Sequence, residues 1–312
     1  MKTLFMFPGQ GAQHIGMGKS LSQIPEIAEL YQNANEIVGY DLASICFDGP
    51  EDKLNMTDVS QPAIFVTSAA CLKAMRMGKI ATDISDIKPD CCAGLSLGEY
   101  TALYAAGAMT FEQGLKLVQL RGSSMQEAAN NSQGSMVSIL GMDEQAVDKL
   151  CAAVLAEAGD GEILTGVNYN CPGQIVVSGS IKACELASAK AEEFGASRAV
   201  PLKVAGAFHS TLMAPAAEKL GVALQGCSFT DTACPVIANV DALAYVGPAE
   251  MPEKLMKQLV DAVRWQQSIE KLLDDGFEQF VEIGPGRVLT GLVKKIARNK
   301  KIKINIITVN GQ

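Results

Sequence analysis

The order of strands and helices restricts the fold of this chain more than any other feature of its sequence. Short apolar segments predict strands at residues 2–7, 89–93, 236–239 and 280–283, and longer amphipathic segments predict helices at 25–38, 62–77, 96–106 and 111–129. Strands that alternate with helices usually pair in parallel, because each helix returns the chain across a face of the sheet. The pattern therefore predicts an α/β fold with a mostly parallel, covered sheet.

A different order runs through residues 131–203. Strands predicted at 135–140, 163–169, 174–178 and 198–202, with helices at 143–158 and 181–194, follow the ferredoxin-like order strand-helix-strand-strand-helix-strand. Because the first alternation resumes afterwards, we expect a ferredoxin-like subdomain (131–203) inserted into a large α/β catalytic domain (1–130 and 204–312). Active sites often lie in the crevice between two such bodies.

Charge and composition exclude several classes of protein. The net charge of -8 leaves no basic surplus for phosphates, so we expect no nucleic-acid partner. No apolar run approaches the roughly 20 residues of a membrane span, and the start MKTLFMFPGQG favours a buried first strand over a signal peptide. The 9 cysteines include no C-x-x-C pair. That favours reduced thiols and a cytoplasmic location over disulfides or a zinc site.

The distribution of charged and apolar residues along the sequence gives two expectations about partners. Basic residues are densest at 294–303, KKIARNKKIK, where a solvated helix end and linker and a docking patch for an acidic partner are about equally good interpretations. No heptad repeat or long apolar surface stretch stands out, so we expect a monomer.

The stretch CAGLSLGEY places Ser96 between two glycines, after a predicted strand and before a predicted helix. A G-x-S-x-G turn in that setting is typical of a nucleophile elbow, in which the glycines permit a cramped turn and the hydroxyl stands at the edge of the sheet. The large domain is then α/β-hydrolase-like. The alternative is that Ser96 only starts the helix as an N-cap.

A nucleophilic serine needs a base, which is usually histidine. The chain has only His14, in the glycine-rich loop GQGAQHIGMG, and His209, in VAGAFHSTLMAP between a predicted strand and helix. The position of His209 favours it as the base. No acidic residue flanks it, so a backbone carbonyl could orient its ring.

The first strand ends in FPGQGAQ. This loop lacks the spacings of a phosphate-binding fingerprint. Exposed backbone N–H groups beside the elbow would instead form one half of an oxyanion hole, the other half coming from the N–H of Leu97.

With FPGQGAQ, GLSLGEY, NYNCPGQ, GAFHS and VEIGPGRVLTGL in this order, the sequence resembles the malonyl-CoA:acyl-carrier-protein transacylases over nearly its whole length. The resemblance implies a ping-pong transfer of malonyl from coenzyme A to a serine, and then to the phosphopantetheine thiol of acyl carrier protein. It implies Ser96 as nucleophile, His209 as base, and the main-chain carbonyl of Gln258 as the group that orients His209. It also implies the N–H groups of Gln10 and Leu97 as the oxyanion hole.

The same resemblance implies a substrate pocket. Arg121 matches the arginine that pairs with the free carboxylate of malonyl, a role that suits a planar guanidinium. From the sequence alone a surface salt bridge is the better interpretation of Arg121. Asn170 matches a pocket position but could be a turn residue before Pro172. Met125 could be pocket wall or core, and Phe208 resembles the residue that favours malonyl over methylmalonyl.

One position departs from the family, which often has histidine before the nucleophile where this chain has Leu95. We expect a change in rate or pocket hydration, not in the reaction class. We expect no metal or redox cofactor, since the serine, the histidine and the oxyanion donors suffice. The rivals are a trans-acting acyltransferase or acyl hydrolase of a polyketide pathway, and a non-catalytic docking module for carrier proteins.

Overall fold

Two sheets form the framework of the molecule. The structure is a computed structural model that describes residues 1–80 and 84–311. A five-stranded sheet has the order β7-β2-β1-β8-β9, and its strands are β1 (Lys2–Phe7), β2 (Cys91–Gly94), β7 (Val236–Ile237), β8 (Phe277–Ile283) and β9 (Asn305–Val309). A four-stranded sheet has the order β4-β5-β3-β6, and its strands are β3 (Gly134–Leu140), β4 (Leu164–Cys171), β5 (Gln174–Ser180) and β6 (Arg198–Pro201).

Helices surround both sheets. In chain order they are α1 (Pro25–Val38), α2 (Leu42–Asp48), α3 (Glu51–Asn55), α4 (Thr57–Arg76), α5 (Gly98–Ala105), α6 (Phe111–Asn130), α7 (Glu144–Ala158), α8 (Ile181–Lys190), α9 (Ala214–Gln225), α10 (Met251–Lys257), α11 (Trp265–Asp274) and α12 (Val288–Asn299). The predicted helix at 181–194 is therefore α8 followed by a 3₁₀ turn, Ala191–Phe194.

Every strand pair of the five-stranded sheet is parallel. The structure of strand β1 explains why residues 4–7 are all apolar. Phe5 and Phe7 pack into one hydrophobic cluster and Leu4 and Met6 into another, because successive side chains point to opposite faces and helices cover both. The predicted α/β fold with a parallel sheet is confirmed.

The four-stranded sheet is antiparallel throughout, and its two central strands are β5 and β3. With α7 after β3 and α8 after β5, its order is that of a ferredoxin-like unit. All its strands come from residues 134–201. The division of the chain into domains at 131 and 203 stays a prediction, because membership of a sheet does not define a domain boundary.

Two predicted helices need correction, and one strand was missed. Helix α4 begins at Thr57, five residues before the predicted start, and contains Pro62 in its interior. Proline removes one N–H from a helix, but nearly every side chain of α4 is buried, so tertiary packing outweighs that loss. Helix α5 begins at Gly98, not at Ser96. Strand β9 was not predicted: it follows the basic segment 294–303 and pairs with β8.

Candidate active site

The turn after β2 has the geometry of a nucleophile elbow. Ser96 has a φ of 53°, in the left-handed region that side chains other than glycine rarely adopt. A Cβ atom on Gly94 would lie 1.9 Å from the carbonyl carbon of Gly98, and one on Gly98 would lie 2.0 Å from the oxygen of Phe7. Both glycines are therefore required for the close approach of strand, turn and helix. No side-chain cap from Ser96 holds the start of α5, so the interpretation as an N-cap is wrong.

His209 meets this serine across 113 residues of sequence. Its Nε2 lies 2.8 Å from Ser96 Oγ, and its Nδ1 lies 2.6 Å from the main-chain oxygen of Gln258. A carbonyl oxygen only accepts hydrogen bonds, so the proton of the neutral ring sits on Nδ1 and Nε2 is free to accept the serine proton. His14 instead contacts the oxygen of Ala12.

The environment keeps His209 neutral. Its side chain is buried, with 4% of its surface exposed. Burial, and to a smaller extent the positive charge of Arg121, lower the pKa of His209 to about 4, while the Gln258 carbonyl acts in the opposite direction. At neutral pH the imidazole is therefore a free base.

Gln258 joins most of the site's polar groups. Its side-chain Nε2 donates to the main-chain oxygen of Ser96 (2.9 Å) and to the carboxylate of Glu99, and its Oε1 accepts from Arg121 (3.0 Å). Its main-chain oxygen holds His209, as described. One fully buried residue therefore fixes the positions of the nucleophile, the base and the arginine relative to one another.

Glu99 and Asn239 complete this network, and sequence reasoning missed both. The Glu99 carboxylate accepts from the Tyr245 hydroxyl (2.5 Å), the Gln258 amide and the Asn239 N–H (3.2 Å). The Asn239 side chain accepts from the N–H of Ser96 (2.7 Å) and donates to the oxygen of Gly94 (2.7 Å). Glu99 directly follows the G-x-S-x-G motif, and this position beside a buried turn was a visible signal for a buried carboxylate, which needs several hydrogen-bond donors. Nothing local marked Asn239.

Burial changes the proton affinity of Glu99. Only 1% of the surface of Glu99 is exposed. Desolvation therefore raises the pKa of Glu99 to about 7, although the hydrogen bonds from Tyr245, Gln258 and Asn239 act in the opposite direction. The carboxylate therefore titrates close to neutrality, about three pH units above His209.

Arg121 is buried at the centre of the site, so its interpretation as a surface salt bridge is wrong. Its exposed fraction is 1%, and its guanidinium donates to Gln61 Oε1 (2.6 Å), Gln258 Oε1 (3.0 Å) and Ser96 Oγ (3.0 Å). Its Nε has no partner among the described residues. Burial lowers the pKa of Arg121 from its usual value, yet an arginine stays charged in proteins.

The charge of Arg121 lacks a direct counter-ion: within residues 1–80 and 84–311, no carboxylate forms an ion pair with it. Neutral amide and hydroxyl oxygens and the face of the Tyr100 ring, 5.5 Å away, surround it instead. A desolvated cation without an anion is a binding site for one. Gln61, which orients the guanidinium, was missed because it meets Arg121 across 60 residues of sequence.

These side chains open into a cavity of about 570 Å³ that lies between the two sheets. On the side of the five-stranded sheet the lining includes Gln10, Leu95, Ser96, Arg121, Met125, Phe208 and His209. On the other side residues two apart along β3, β4 and β5 line it, namely Met136 and Ser138, Asn168 and Asn170, and Gln174 and Val176. This period of two places one face of the antiparallel sheet against the cavity.

The remaining predicted residues divide between the cavity and its surroundings. Asn170 belongs to strand β4, so its interpretation as a turn residue is wrong. Gln258 is fully buried and does not line the cavity. The side chain of Leu97 is also fully buried, so only its main-chain groups can contact a substrate. Among the hydrogen bonds of residues 1–80 and 84–311, none uses the N–H of Gln10 or Leu97.

The described part of the chain holds neither a cluster of metal ligands nor a helix that could span a membrane. Among the described residues, no group of three or more His, Cys, Asp and Glu side chains is arranged to hold a metal ion. Within the same ranges no helix has the length and apolar character that crossing a membrane requires.

An elbow serine that is hydrogen-bonded to a histidine, beside open main-chain donors, is the arrangement of enzymes that act on acyl groups. The chain belongs to the acyl transferase domain family, whose sequence profile matches residues 4–310.

Proteins of known name that resemble this chain are also acyl transferases. The chain is 46% identical over 301 residues to the malonyl CoA-acyl carrier protein transacylase of Bacillus subtilis, covering 96% of this chain and 92% of that protein. It resembles the crystal structure of an acyl carrier protein S-malonyltransferase from Vibrio cholerae, with a TM-score of 0.90, 38% identity, and coverage of 99% and 97%. A malonyl-transacylase solved with a type II polyketide-synthase acyl-carrier protein matches equally well, at 38% identity, a TM-score of 0.90, and coverage of 99% and 96%.

Proposed function

We propose that this acyltransferase moves a malonyl group from malonyl-CoA to the phosphopantetheine thiol of acyl carrier protein in fatty-acid synthesis. The observation that carries the proposal is the buried Arg121, a cation that has no ion-pair partner in the described part of the chain and whose Nη2 lies 3.0 Å from Ser96 Oγ. An acyl group esterified to Ser96 that carries its own carboxylate two bonds from the ester carbon would supply the missing anion. Malonyl has that structure, and acetyl does not.

The first half of the reaction forms a malonyl ester. Ser96 Oγ attacks the thioester carbonyl while His209 Nε2 takes the hydroxyl proton, a transfer that the 2.8 Å contact allows. The charge on the former carbonyl oxygen is received by the N–H groups of Gln10 and Leu97. The intermediate then collapses, the carbon–sulfur bond breaks, and the proton on Nε2 goes to the departing coenzyme A sulfur.

The second half repeats these steps in reverse order. The carrier-protein thiol gives its proton to His209 Nε2 and attacks the ester carbonyl, and Ser96 leaves as an alkoxide that recovers the proton. Throughout both halves the Gln258 carbonyl holds the ring, so that the same nitrogen gives and takes the proton. Serine, histidine and main-chain donors complete the cycle, and we propose that no metal or redox cofactor takes part.

The substrate end of the cavity accounts for selectivity. Arg121 binds the malonyl carboxylate, and Met125, Phe208 and Asn170 surround the acyl chain. Phe208 crowds the space in which the extra methyl of methylmalonyl would lie. We further propose that the protein acts as a monomer in the cytoplasm. The match to a transacylase bound to a polyketide carrier protein supports one alternative, the same chemistry on a polyketide carrier.

Intact-protein mass spectrometry tests the proposal. The chain is mixed with malonyl-CoA, then with acyl carrier protein, and the mass of each protein is followed over time. We expect one malonyl group on the enzyme, absent in Ser96→Ala, which is discharged when carrier protein is added. Ser124→Ala, a buried serine on α6, is the matched control and should be labelled like wild type.

Three outcomes would contradict parts of this scheme. A malonyl adduct on Ser96→Ala would exclude that serine as the nucleophile. Rapid loss of the adduct to water without carrier protein would favour a hydrolase. Discharge onto a polyketide carrier but not a fatty-acid carrier would transfer the same mechanism to the alternative pathway.

A further inference from the structure

Two thiols lie close together at β2, the strand that leads into the elbow. The sulfur atoms of Cys92, on β2, and Cys234, just before β7, are 3.7 Å apart and share a hydrogen bond. All 9 cysteines of the chain are free thiols. Strand register explains why the two thiols meet. Cys92 lies opposite Val236 in the parallel β2–β7 ladder. Cys234 precedes Val236 by two residues, so its side chain lies on the same face of the sheet.

We propose that Cys92 and Cys234 form an oxidation site, at which a hydroperoxide converts the pair to an intramolecular disulfide that lowers the rate of acyl transfer. Cys92 is fully buried, whereas Cys234 is half-buried and is the sulfur that an oxidant in solution can reach. The pair therefore combines one accessible thiol with a resolving thiol held next to it.

The surroundings of Cys234 favour its thiolate. The hydrogen bond from the Cys92 thiol, with a smaller contribution from the positive charge of Arg76, lowers the pKa of Cys234, although partial burial and the negative charge of Asp90 oppose the shift. Arg76 is held at this place by a hydrogen bond to the oxygen of Ala105 (3.1 Å). A thiolate is the form of cysteine that attacks peroxides.

With hydrogen peroxide as the oxidant, the oxidation balances with one molecule of peroxide. The Cys234 thiolate attacks one peroxide oxygen, the oxygen–oxygen bond breaks, and the second oxygen leaves as water after taking a proton, which gives a sulfenic acid. The Cys92 sulfur then attacks the Cys234 sulfur and loses its proton, and the hydroxyl leaves as a second water. Two thiols and one peroxide become one disulfide and two waters.

The bond would disturb the nucleophile because both thiols are connected to it. A disulfide is about 2.05 Å long, so the sulfurs must move well over 1 Å closer. Cys92 is four residues before Ser96 on the strand that enters the elbow, and Cys234 leads through β7 to Asn239, which accepts the Ser96 N–H. Both ends of the new bond therefore pull on main chain that positions the serine.

Peptide mapping and kinetics test the inference, the kinetic part of which rests on the proposed function. The full-length chain is treated with hydrogen peroxide, remaining thiols are alkylated under denaturing conditions, and cross-linked peptides are identified by mass. Malonyl-enzyme formation is timed on the same samples, before and after dithiothreitol. We expect a peptide pair joining Cys92 and Cys234, and a rate that falls on the order of tenfold and recovers on reduction, since misplacement by about 1 Å can cost up to 100-fold.

Cys227 provides a matched control, because it is a half-buried thiol of the same loop for which no sulfur partner occurs among the described residues. Cys227→Ser should form the bond and lose activity as wild type does, whereas Cys234→Ser should form no bond and keep its rate in peroxide. Equal oxidation of both cysteines without a cross-link, or a cross-link that leaves the rate unchanged, would overturn the inference. The cross-link is read without any catalysis, so a failure of the proposed function is distinguished from a failure of the thiol site.

Discussion

The two sheets contribute to the cavity in different ways. The five-stranded sheet and its helices supply the groups that react or hold reacting groups, Ser96, His209, Arg121 and Gln258, and these are linked by hydrogen bonds of 2.6–3.0 Å. The four-stranded sheet supplies one face of alternate side chains, such as Asn170 on β4. One side of the cavity is a connected polar network, and the other is a wall.

This difference has a physical consequence for substitution. Residues of the network share partners, so the loss of one displaces the others, and their effects are not additive. Side chains of the wall project from strands whose main-chain ladder holds without them. Changes to the network should therefore affect the rate of the chemical step, whereas changes to the wall should affect substrate binding.

Arg121→Ala is the largest expected break in the network short of removing the nucleophile. The variant loses the charge that pairs with a carboxylate, so the ratio of malonyl to acetyl transfer should fall about 100-fold, as expected for a charge-assisted, bidentate pair. The measurement is kcat/KM for both thioesters. Arg121→Lys keeps the charge without the planar fork and should recover only part of the ratio. Equal losses on both substrates would contradict the carboxylate clamp.

Glu99→Gln tests whether the network extends behind the cavity. The amide no longer offers Gln258 and Asn239 a charged acceptor, so we expect kcat/KM at pH 8 to fall about tenfold, a loss of one charge-assisted hydrogen bond. In the wild type the pKa of Glu99 near 7 means that the carboxylate is ionised above that pH and protonated below it. The wild-type rate should therefore rise with pH through about 7, and the variant should lack this step.

Glu282→Gln is the matched control for this substitution. Glu282 is also a fully buried carboxylate, but it accepts from the N–H groups of Leu289 and Thr290 at the start of α12. It should leave the pH profile between 6 and 8 unchanged. A wild-type profile that is flat across this range would show that Glu99 does not position Gln258 through its charge. The pKa of His209, about 4, lies too low to produce the same step.

Local pattern was sufficient for the framework and for part of the site. The strand at 2–7 was predictable because residues 4–7 are buried on both faces of the sheet, so this part of β1 is an uninterrupted apolar run. The elbow followed from two glycines at fixed spacing, and His209 from there being only two histidines. Arg121 was different: its spacing alone favoured a surface residue, and only the likeness to a family assigned it to a pocket.

The missed residues of the site share a physical cause, which is that long-range contacts bring them there. Glu99 and Gln258 meet across 159 residues, and Asn239 reaches Ser96 across 143. No local rule predicts such a meeting. The start of α4 was wrong for a different reason. Pro62 is a strong local signal for the start of a helix, but burial of nearly the whole helix outweighs it, and α4 continues through the proline. Strand β9 was missed because the basic residues before it fitted a helix end and linker or a docking patch equally well, and neither interpretation predicts a strand.

Asn170→Ala gives the smallest of these effects and tests the wall. Asn170 lies half-buried on the cavity face of β4, opposite the network, so its removal should raise KM for malonyl-CoA about threefold, within the range of one neutral hydrogen bond. The value of kcat should stay the same, because among residues 1–80 and 84–311 no hydrogen bond joins the lost amide to the network. Thr165→Ala, an exposed position on the same strand, should change neither constant. A fall in kcat without a rise in KM would place Asn170 in the network and remove the distinction between the two sheets.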